Sequence, residues 1–289
     1  MLQNITFDMD VSITIVSYKE NLDILKRCLD SIESSTDVDY EVFVVDNANN
    51  PAVKGLLKIY ERAEYIANPA NNGFAAAVNQ GIKQSTGEFI LLLNPDTEFE
   101  PHVLKTMVDH MRKDQDVGIG SCIIRYPNGD LQDSIRRFPR MLDQIQILLK
   151  VPHIMNTRSI NRYMMRDVDP LKTQKVDSIM GAFMWISKPL IEEVGLFDER
   201  YFIWFEEVDY CKMAHDAGFT IKHYGDVEII HHKGHSFSKV ATRRKQKWMR
   251  TSFRKYARKH FGVVAWLVLW ALTPLFMLFG YVASAIKPM

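Results

Sequence analysis

Glu88-Phe89-Ile90-Leu91-Leu92-Leu93-Asn94-Pro95-Asp96, five apolar residues running into an amide, a proline and an acid, is the stretch on which the fold of this chain turns. A run so short and so uniformly apolar reads as a strand buried on both faces. Two earlier runs, VSITIVS at 11–17 and YEVFVVD at 40–46, have the same character, and the second also ends in an acid. Longer amphipathic stretches separate them. Residues 21–34 place Leu22, Leu25, Leu29 and Ile32 on one helical face, residues 53–63 predict a second helix, and residues 65–67 a short third strand. Residues 74–84 predict a helix behind Gly73. Strands alternating with helices predict an α/β fold, with a Rossmann-like, mostly parallel sheet flanked by helices and joined by right-handed crossovers. In such sheets ligands bind outside the carboxyl ends of the strands, which brings residues 17–20, 46–50 and 94–96 to one crevice. After Val117 the pattern turns mixed, with a hairpin expected at Tyr126-Pro127-Asn128-Gly129-Asp130. Residues 135–175 are basic and rich in Met, and their pattern predicts no element.

Composition narrows the class. With 289 residues, 47% hydrophobic and 25% charged, the chain is neither disordered nor of low complexity. Cys28, Cys122 and Cys211 form no C-x-x-C pair, so buried thiols in a reducing compartment are expected. The formal charge of +1 hides an asymmetry: residues 229–289 hold 12 Lys and Arg and no acid, leaving 24 basic against 35 acidic residues in the rest. Ten of those cations lie between Lys239 and Lys259, just before residues 263–286, which carry no charge. As a helix that uncharged run would extend about 36 Å, against a hydrocarbon core of about 30 Å. A basic stretch bearing Trp248, Phe253 and Tyr256, followed by an apolar span, predicts membrane attachment from the cytoplasmic face. A buried core helix is the alternative for this span. Pro274 in mid-span predicts a kink or a re-entrant hairpin. The apolar run accounts for the adjoining charges, so no nucleic-acid partner is expected. The first ten residues have neither a basic flank nor an apolar stretch, so secretion is not expected.

Several polar groups stand where chemistry is expected. Asp46 could cap the next helix, and Asn94-Pro95-Asp96 could be a turn. Taken together, one carboxylate at the crevice suits a nucleobase imide, while another suits a divalent cation on a diphosphate. Glu206, Glu207 and Asp209 follow five aromatics, Phe197, Tyr201, Phe202, Trp204 and Phe205. Acids favour a helix N-terminus, but carboxyl groups beside aromatic walls also acquire the raised pKa of a general base. His231, His232 and His235 cluster after an apolar strand, and adjacent histidines there point to opposite faces.

The ordered stretches SITIVSYKE, VVDNANN, NNGFAAAVNQGI, FILLLNPD, GAFMWISK, FDERYFIWFEEVDYCKMAHDAGF and IIHHKGHS resemble the inverting glycosyltransferases of family two, which have the GT-A fold, and especially their rhamnosyltransferase-like branch. The resemblance covers roughly residues 11–236. It implies that Asp46 contacts the base of a nucleotide-diphosphate sugar, with Val16 and Tyr18 flanking it and Asn72, Gly73 and Phe74 lining the pocket. Asn94-Pro95-Asp96 stands where many relatives carry Asp-x-Asp, which leaves Asp96 as the main carboxylate on magnesium or manganese. Asn49 replaces a frequent Ser. His231 is implied near the metal or diphosphate. The family's Glu-Asp-x-Asp pattern maps the general base to Glu207, with Glu206 its rival, and Gly181, Trp204 and Asp209 to the acceptor side, Asp209 also as an orienting or capping group. Arg136 and Arg137 could meet a diphosphate, or form a solvated loop. Met184 and Trp185 are expected in the core. The implied enzyme moves a sugar, L-rhamnose from its dTDP donor, onto a polyprenyl-diphosphate-linked saccharide at the cytoplasmic face of a bacterial inner membrane. A polyprenyl-phosphate acceptor and a non-catalytic scaffold are the alternatives. Residues 1–236 are expected as the transferase domain and 237–289 as a basic segment with a membrane anchor.

Overall fold

The computed structural model describes residues 7–232 and 242–286. β1 (Val11–Ser17), β2 (Tyr40–Asp46), β3 (Ala63–Ala67) and β4 (Phe89–Leu93) lie parallel in the order β3-β2-β1-β4, joined by α1 (Leu22–Glu33), α2 (Pro51–Leu57) and α3 (Phe74–Gln84). The predicted strands and the first and third helices are where the pattern put them. Asn21 caps α1 by accepting the Asp23 amide at 2.9 Å. α2 stops at Leu57, well short of residue 63, because the chain must turn there: Val42 donates its amide to Arg62 and draws Ala63 into β3.

The second half follows as β5 (Thr97–Glu98), α4 (Val103–Lys113), β6 (Val117–Arg125) and β7 (Ile135–Arg136). Next come α5 (Met141–Leu148), a short turn at Val151–His153, α6 (Arg158–Tyr163), β8 (Gln174–Lys175) and β9 (Ser178–Ile179). β10 (Phe183–Ser187), α7 (Lys188–Val194), α8 (Glu206–Asp216) and β11 (Thr220–His231) complete the sheet. The sheet is mixed rather than mostly parallel. β10 is antiparallel to both β4 and β6, and β5 is antiparallel to β11. The reason is where the chain re-enters: Phe183 pairs with Leu93, so β10 starts at the end where β4 finishes and needs no crossover. The expected hairpin closes with Tyr126 and Asp130 bonded at 2.8 Å.

Burial follows the double-faced pattern. Phe89, Leu91 and Leu93 pack with α1 and α4 on one side, Ile90 and Leu92 with α3, α7 and α8 on the other. Trp185 and Met184 divide between the same two cores, as expected of them. All three cysteines are free and buried, and burial pushes the Cys28 thiol up to about 12.

A third core involves the C-terminal helices α9 (Thr242–His260), α10 (Gly262–Ala271) and α11 (Thr273–Ile286). Phe253, Tyr256, Ala257, Leu269 and Phe276 pack against Tyr201, Phe205 and Val208, so the segment read as a tail shares a core with the start of α8. α10 and α11 meet at a 49° bend, with Pro274 at the second position of α11. A proline there cannot bond back to Trp270, which ends the continuous ladder. Among the described residues no single helix is long and apolar enough to cross a membrane; the bent pair passes that test only together. The outer face is nevertheless apolar, with Val264 75% and Leu278 59% exposed.

Candidate functional site

The carboxyl ends of β1, β2 and β4 meet as the fold rule requires. Ser17 pairs with Asp46, and Ile15 with Leu93. Asp46 is fully buried and shapes its own loop: Oδ1 accepts the Ala48 amide at 2.9 Å, and Oδ2 accepts the Asn50 amide at 2.6 Å and the Tyr65 hydroxyl at 3.0 Å. The cap of α2 is Asn50, not Asp46. Beneath this loop runs a chain of amides that no sequence pattern marked. Gln80 donates to Asn68, Asn68 to Asn47 at 2.8 Å, and Asn47 to the Gly73 carbonyl at 3.2 Å. Gly73 has φ +96°, and a Cβ there would stand 2.5 Å from the Phe202 carbonyl oxygen, which accepts the Phe74 amide at 2.8 Å. Glycine is therefore required where this turn touches the aromatic loop. Asn72 is exposed; the amide that bonds this turn is Asn71, which accepts from Gly73 at 2.9 Å. Val16 and Tyr18 are half-buried at the same edge.

Asp96 and His231 come together across the sheet. β5 pairs with the end of β11, and Asp96 Oδ1 stands 3.2 Å from His231 Nε2. Gln132, absent from the sequence candidates, decides what that contact means. Its amide nitrogen donates to the His231 carbonyl at 2.6 Å, so its oxygen faces His231 Nδ1 at 3.0 Å and must accept. The proton of a neutral ring then sits on Nδ1. Nε2 turns its lone pair toward the Asn94 amide at 3.2 Å and toward Asp96. A contact so close is satisfied either by a proton on Nε2 or by a cation between the two atoms. Two ligands of one octahedral cation, at about 2.1 Å each, stand about 3 Å apart, so the pair fits a divalent ion whose other ligands are phosphate and water. No group of three or more His, Cys, Asp or Glu suited to a metal occurs among the described residues. His232 turns the other way to Glu98 at 2.5 Å, and His235 lies outside the described residues.

The acids stand in the first turn of α8. Trp204 and Phe205 both have left-handed φ, +63° and +72°, which is uncommon for bulky residues and marks a strained entry into α8. Glu206 is buried and Glu207 half-buried, and each has an Oε2 with no hydrogen-bond partner. Burial pushes the Glu206 carboxyl well above its ordinary range, and the neighbouring Glu207 adds to this. Burial also raises Glu207, partly offset by amides of the first helical turn and by Arg136. A Cβ at Gly181 would lie 3.7 Å from that of Glu207, so the missing side chain leaves space beside the stem of this acid. The Asn94 amide bonds to the Ala182 carbonyl at 3.0 Å, tying the residue after Gly181 to the end of β4.

Asp209 does not face that space. It is buried, and its oxygens take Lys259 and His260 of α9, each at 2.6 Å. That corrects its placement on the acceptor side and leaves the orienting role. Trp204 packs toward the third core. Arg137 is bidentate with Asp167, at 2.9 and 2.6 Å, away from the crevice, while Arg136 stays half-buried near Glu207. Asn79, also missed, holds the aromatic loop through the Phe197 carbonyl at 2.9 Å and amide at 3.0 Å.

A parallel half-sheet whose strand ends meet at one edge, continued by antiparallel strands and flanked by helices, is a fold similar to that of the GT-A glycosyltransferases. The chain belongs to glycosyl transferase family 2, whose model matches residues 12–195, and it is a nucleotide-sugar-dependent transferase. It is similar to the N-acetylglucosaminyl-diphospho-decaprenol L-rhamnosyltransferase of Mycobacterium tuberculosis, with 25% identity over 73% of each chain. It is also similar to the rhamnosyltransferase WbbL of Escherichia coli K12, with 26% identity over 86% of this chain and 93% of that one. The crystal structure of GalNAc-T7 with UDP, GalNAc and Mn2+ shares the fold at a TM-score of 0.58 and 16% identity, over 77% of this chain and only 44% of that one. Enzymes of this family and fold are generally dependent on a divalent metal.

Proposed function

We propose that the chain is an inverting transferase that moves L-rhamnose from dTDP-rhamnose onto a hydroxyl of a lipid-linked saccharide, in cell-surface polysaccharide assembly at the cytoplasmic face of the membrane. The names of the two rhamnosyltransferase relatives support the sugar, and the decaprenol-linked substrate in one of them supports the acceptor class. The observation that carries the mechanism is Glu207: a half-buried residue whose carboxyl has a raised pKa and a buried oxygen without a hydrogen-bond partner, and whose stem packs beside Gly181. As the acceptor oxygen attacks the anomeric carbon, Glu207 takes its proton, the bond from that carbon to the diphosphate breaks, and the configuration inverts. Asp96 and His231 would hold the divalent ion, which neutralises charge on the departing diphosphate. Gln132 keeps the His231 lone pair turned to that place. Asp46 keeps its loop in shape beside the nucleotide, and its contact with the base belongs to this proposal.

Attachment to the membrane is part of the same reading. Arg254 lies 4.3 Å from the Trp270 ring centroid and Arg258 5.3 Å from that of Trp266, so cations and indoles sit together above an apolar face, as at a lipid interface. The bend at Pro274 suits a pair of helices that lies in or re-enters the bilayer. The decisive experiment is transfer by Glu207→Gln with dTDP-rhamnose and an N-acetylglucosaminyl-diphospho-lipid. Transfer should slow about 100-fold to 10,000-fold, with dTDP affinity by calorimetry near that of the parent. An active Glu207→Gln with a dead Glu206→Gln would exchange the two roles, and two active variants would remove the base from α8.

A further inference from the structure

The stretch from 135 to 175, which the sequence pattern left without elements, folds into a cavity of its own. Arg137, Arg158, Arg162 and Arg166, with Asn156, Asn161 and Asp167, line a depression of about 700 Å³, wide open to solvent, that no residue of the strand-end crevice lines. Two of the four guanidinium groups have carboxylates: Arg137 pairs with Asp167 at 2.6 Å, and Arg162 with buried Asp143 at 3.2 Å. Arg166 is held by the Asn156 and Asn161 side-chain oxygens at 3.0 and 3.1 Å and has no acid, and Arg158 has no partner among the described residues. Two uncompensated arginines, one already oriented by amides, match the roughly two negative charges of a disubstituted diphosphate.

What borders the cavity indicates which diphosphate. On one side the same segment exposes Leu142, Ile154 and Met155, at 58%, 82% and 59%, and α5 packs on the C-terminal helices that carry the exposed apolar face. On the other side, α6 runs about 9 Å from Arg158 to Tyr163. Tyr163 accepts the Arg137 amide with its carbonyl at 3.0 Å, and its ring hydroxyl lies in the field of Arg136 and Glu207. Along the chain, the exposed apolar residues Ile154 and Met155 precede the arginine cluster, and the helix that begins at Arg158 ends at Tyr163, whose hydroxyl feels Glu207, an order that suits lipid chain, diphosphate and sugar hydroxyl. We infer that this cavity binds the diphosphate of the lipid-linked acceptor. The inference rests on the acceptor class proposed above and adds the residues that recognise it.

The test is binding of farnesyl diphosphate to the full chain in detergent, followed by calorimetry, with no donor sugar present. The parent should bind it, inorganic diphosphate should compete, and dTDP should not. Arg158→Glu and the double variant Arg158→Glu/Arg166→Gln should weaken it at least about tenfold, while dTDP affinity, which reports an intact fold, stays unchanged. Lys172→Glu, the same charge change outside the cavity, should have no effect. The inference is overturned if the parent does not bind farnesyl diphosphate, if the double variant binds it as well as the parent, or if dTDP displaces it. It is equally overturned if phosphatidylglycerol vesicles displace it with the same dependence on Arg158, since the cavity would then hold a phospholipid headgroup. Because no turnover is measured, a chain that binds farnesyl diphosphate here yet transfers no sugar would sink the proposed reaction and leave this site standing.

Discussion

Glu206 is the more deeply buried of two adjacent acids, and the fold favours its protonated form. That has a consequence for stability. Below the ordinary carboxyl pKa, 4.5, native and unfolded chains both hold the proton. Above it the unfolded chain releases its proton first, so stability falls as pH rises until the raised native value is passed. Glu206→Gln should remove this loss and stabilise the protein at pH 7 by on the order of 1 kcal/mol, with no gain near pH 4. Urea titrations at the two pH values measure it, and equal stabilities at pH 7 would mean that Glu206 is ionised in the fold without penalty. At this scale the sequence was legible where chemistry announces itself, as in acids after aromatics or an acid ending an apolar run. Gln132 and the Asn47–Asn68–Gln80 chain were not, because an amide earns its meaning only from partners that the fold brings from far along the chain. Asp209 misled for the opposite reason: the motif marks it, and the side chains that occupy it lie some 50 residues later.

Among the elements, the strands and the first and third helices could be read from periodicity, since each has one clear apolar pattern. Strand direction could not: β10 looks like any other buried strand, and only its entry point makes it antiparallel. The element contact with most at stake joins α8 to α9. Lys259 pairs with buried Asp209 and His260 hydrogen-bonds it, Ser252 donates to the Ile203 carbonyl at 2.8 Å, and Lys255 donates to the Arg200 carbonyl. Lys259→Met/His260→Phe would leave Asp209 buried without a cation, which costs about 3 kcal/mol. Unfolding by urea should show that loss, and transfer should slow with dTDP affinity retained, because α8 carries the acids and not the nucleotide loop. Unchanged stability would show that Asp209 finds water or another partner.

For the whole molecule, the charge asymmetry visible in the sequence becomes a geometric one. A basic helix lies against the catalytic body, and the apolar helix pair shows its outer face. Sedimentation with phosphatidylglycerol vesicles should bring the protein down at low salt. Replacing Arg243, Arg244 and Lys247 by Gln should weaken binding by about 1 kcal/mol per charge near the surface. Vesicle binding indifferent to both salt and these charges would leave only the apolar face as the attachment. The joint core of α8 with α9–α11 also sets an order of events during synthesis. The nucleotide crevice is complete once β11 has left the ribosome, but the helix bearing Glu206 and Glu207 lacks its supports until residues 253–276 emerge. A nascent chain would thus have its crevice before its acids are supported, and the residues that release this restraint belong to the segment proposed to attach the enzyme to a membrane.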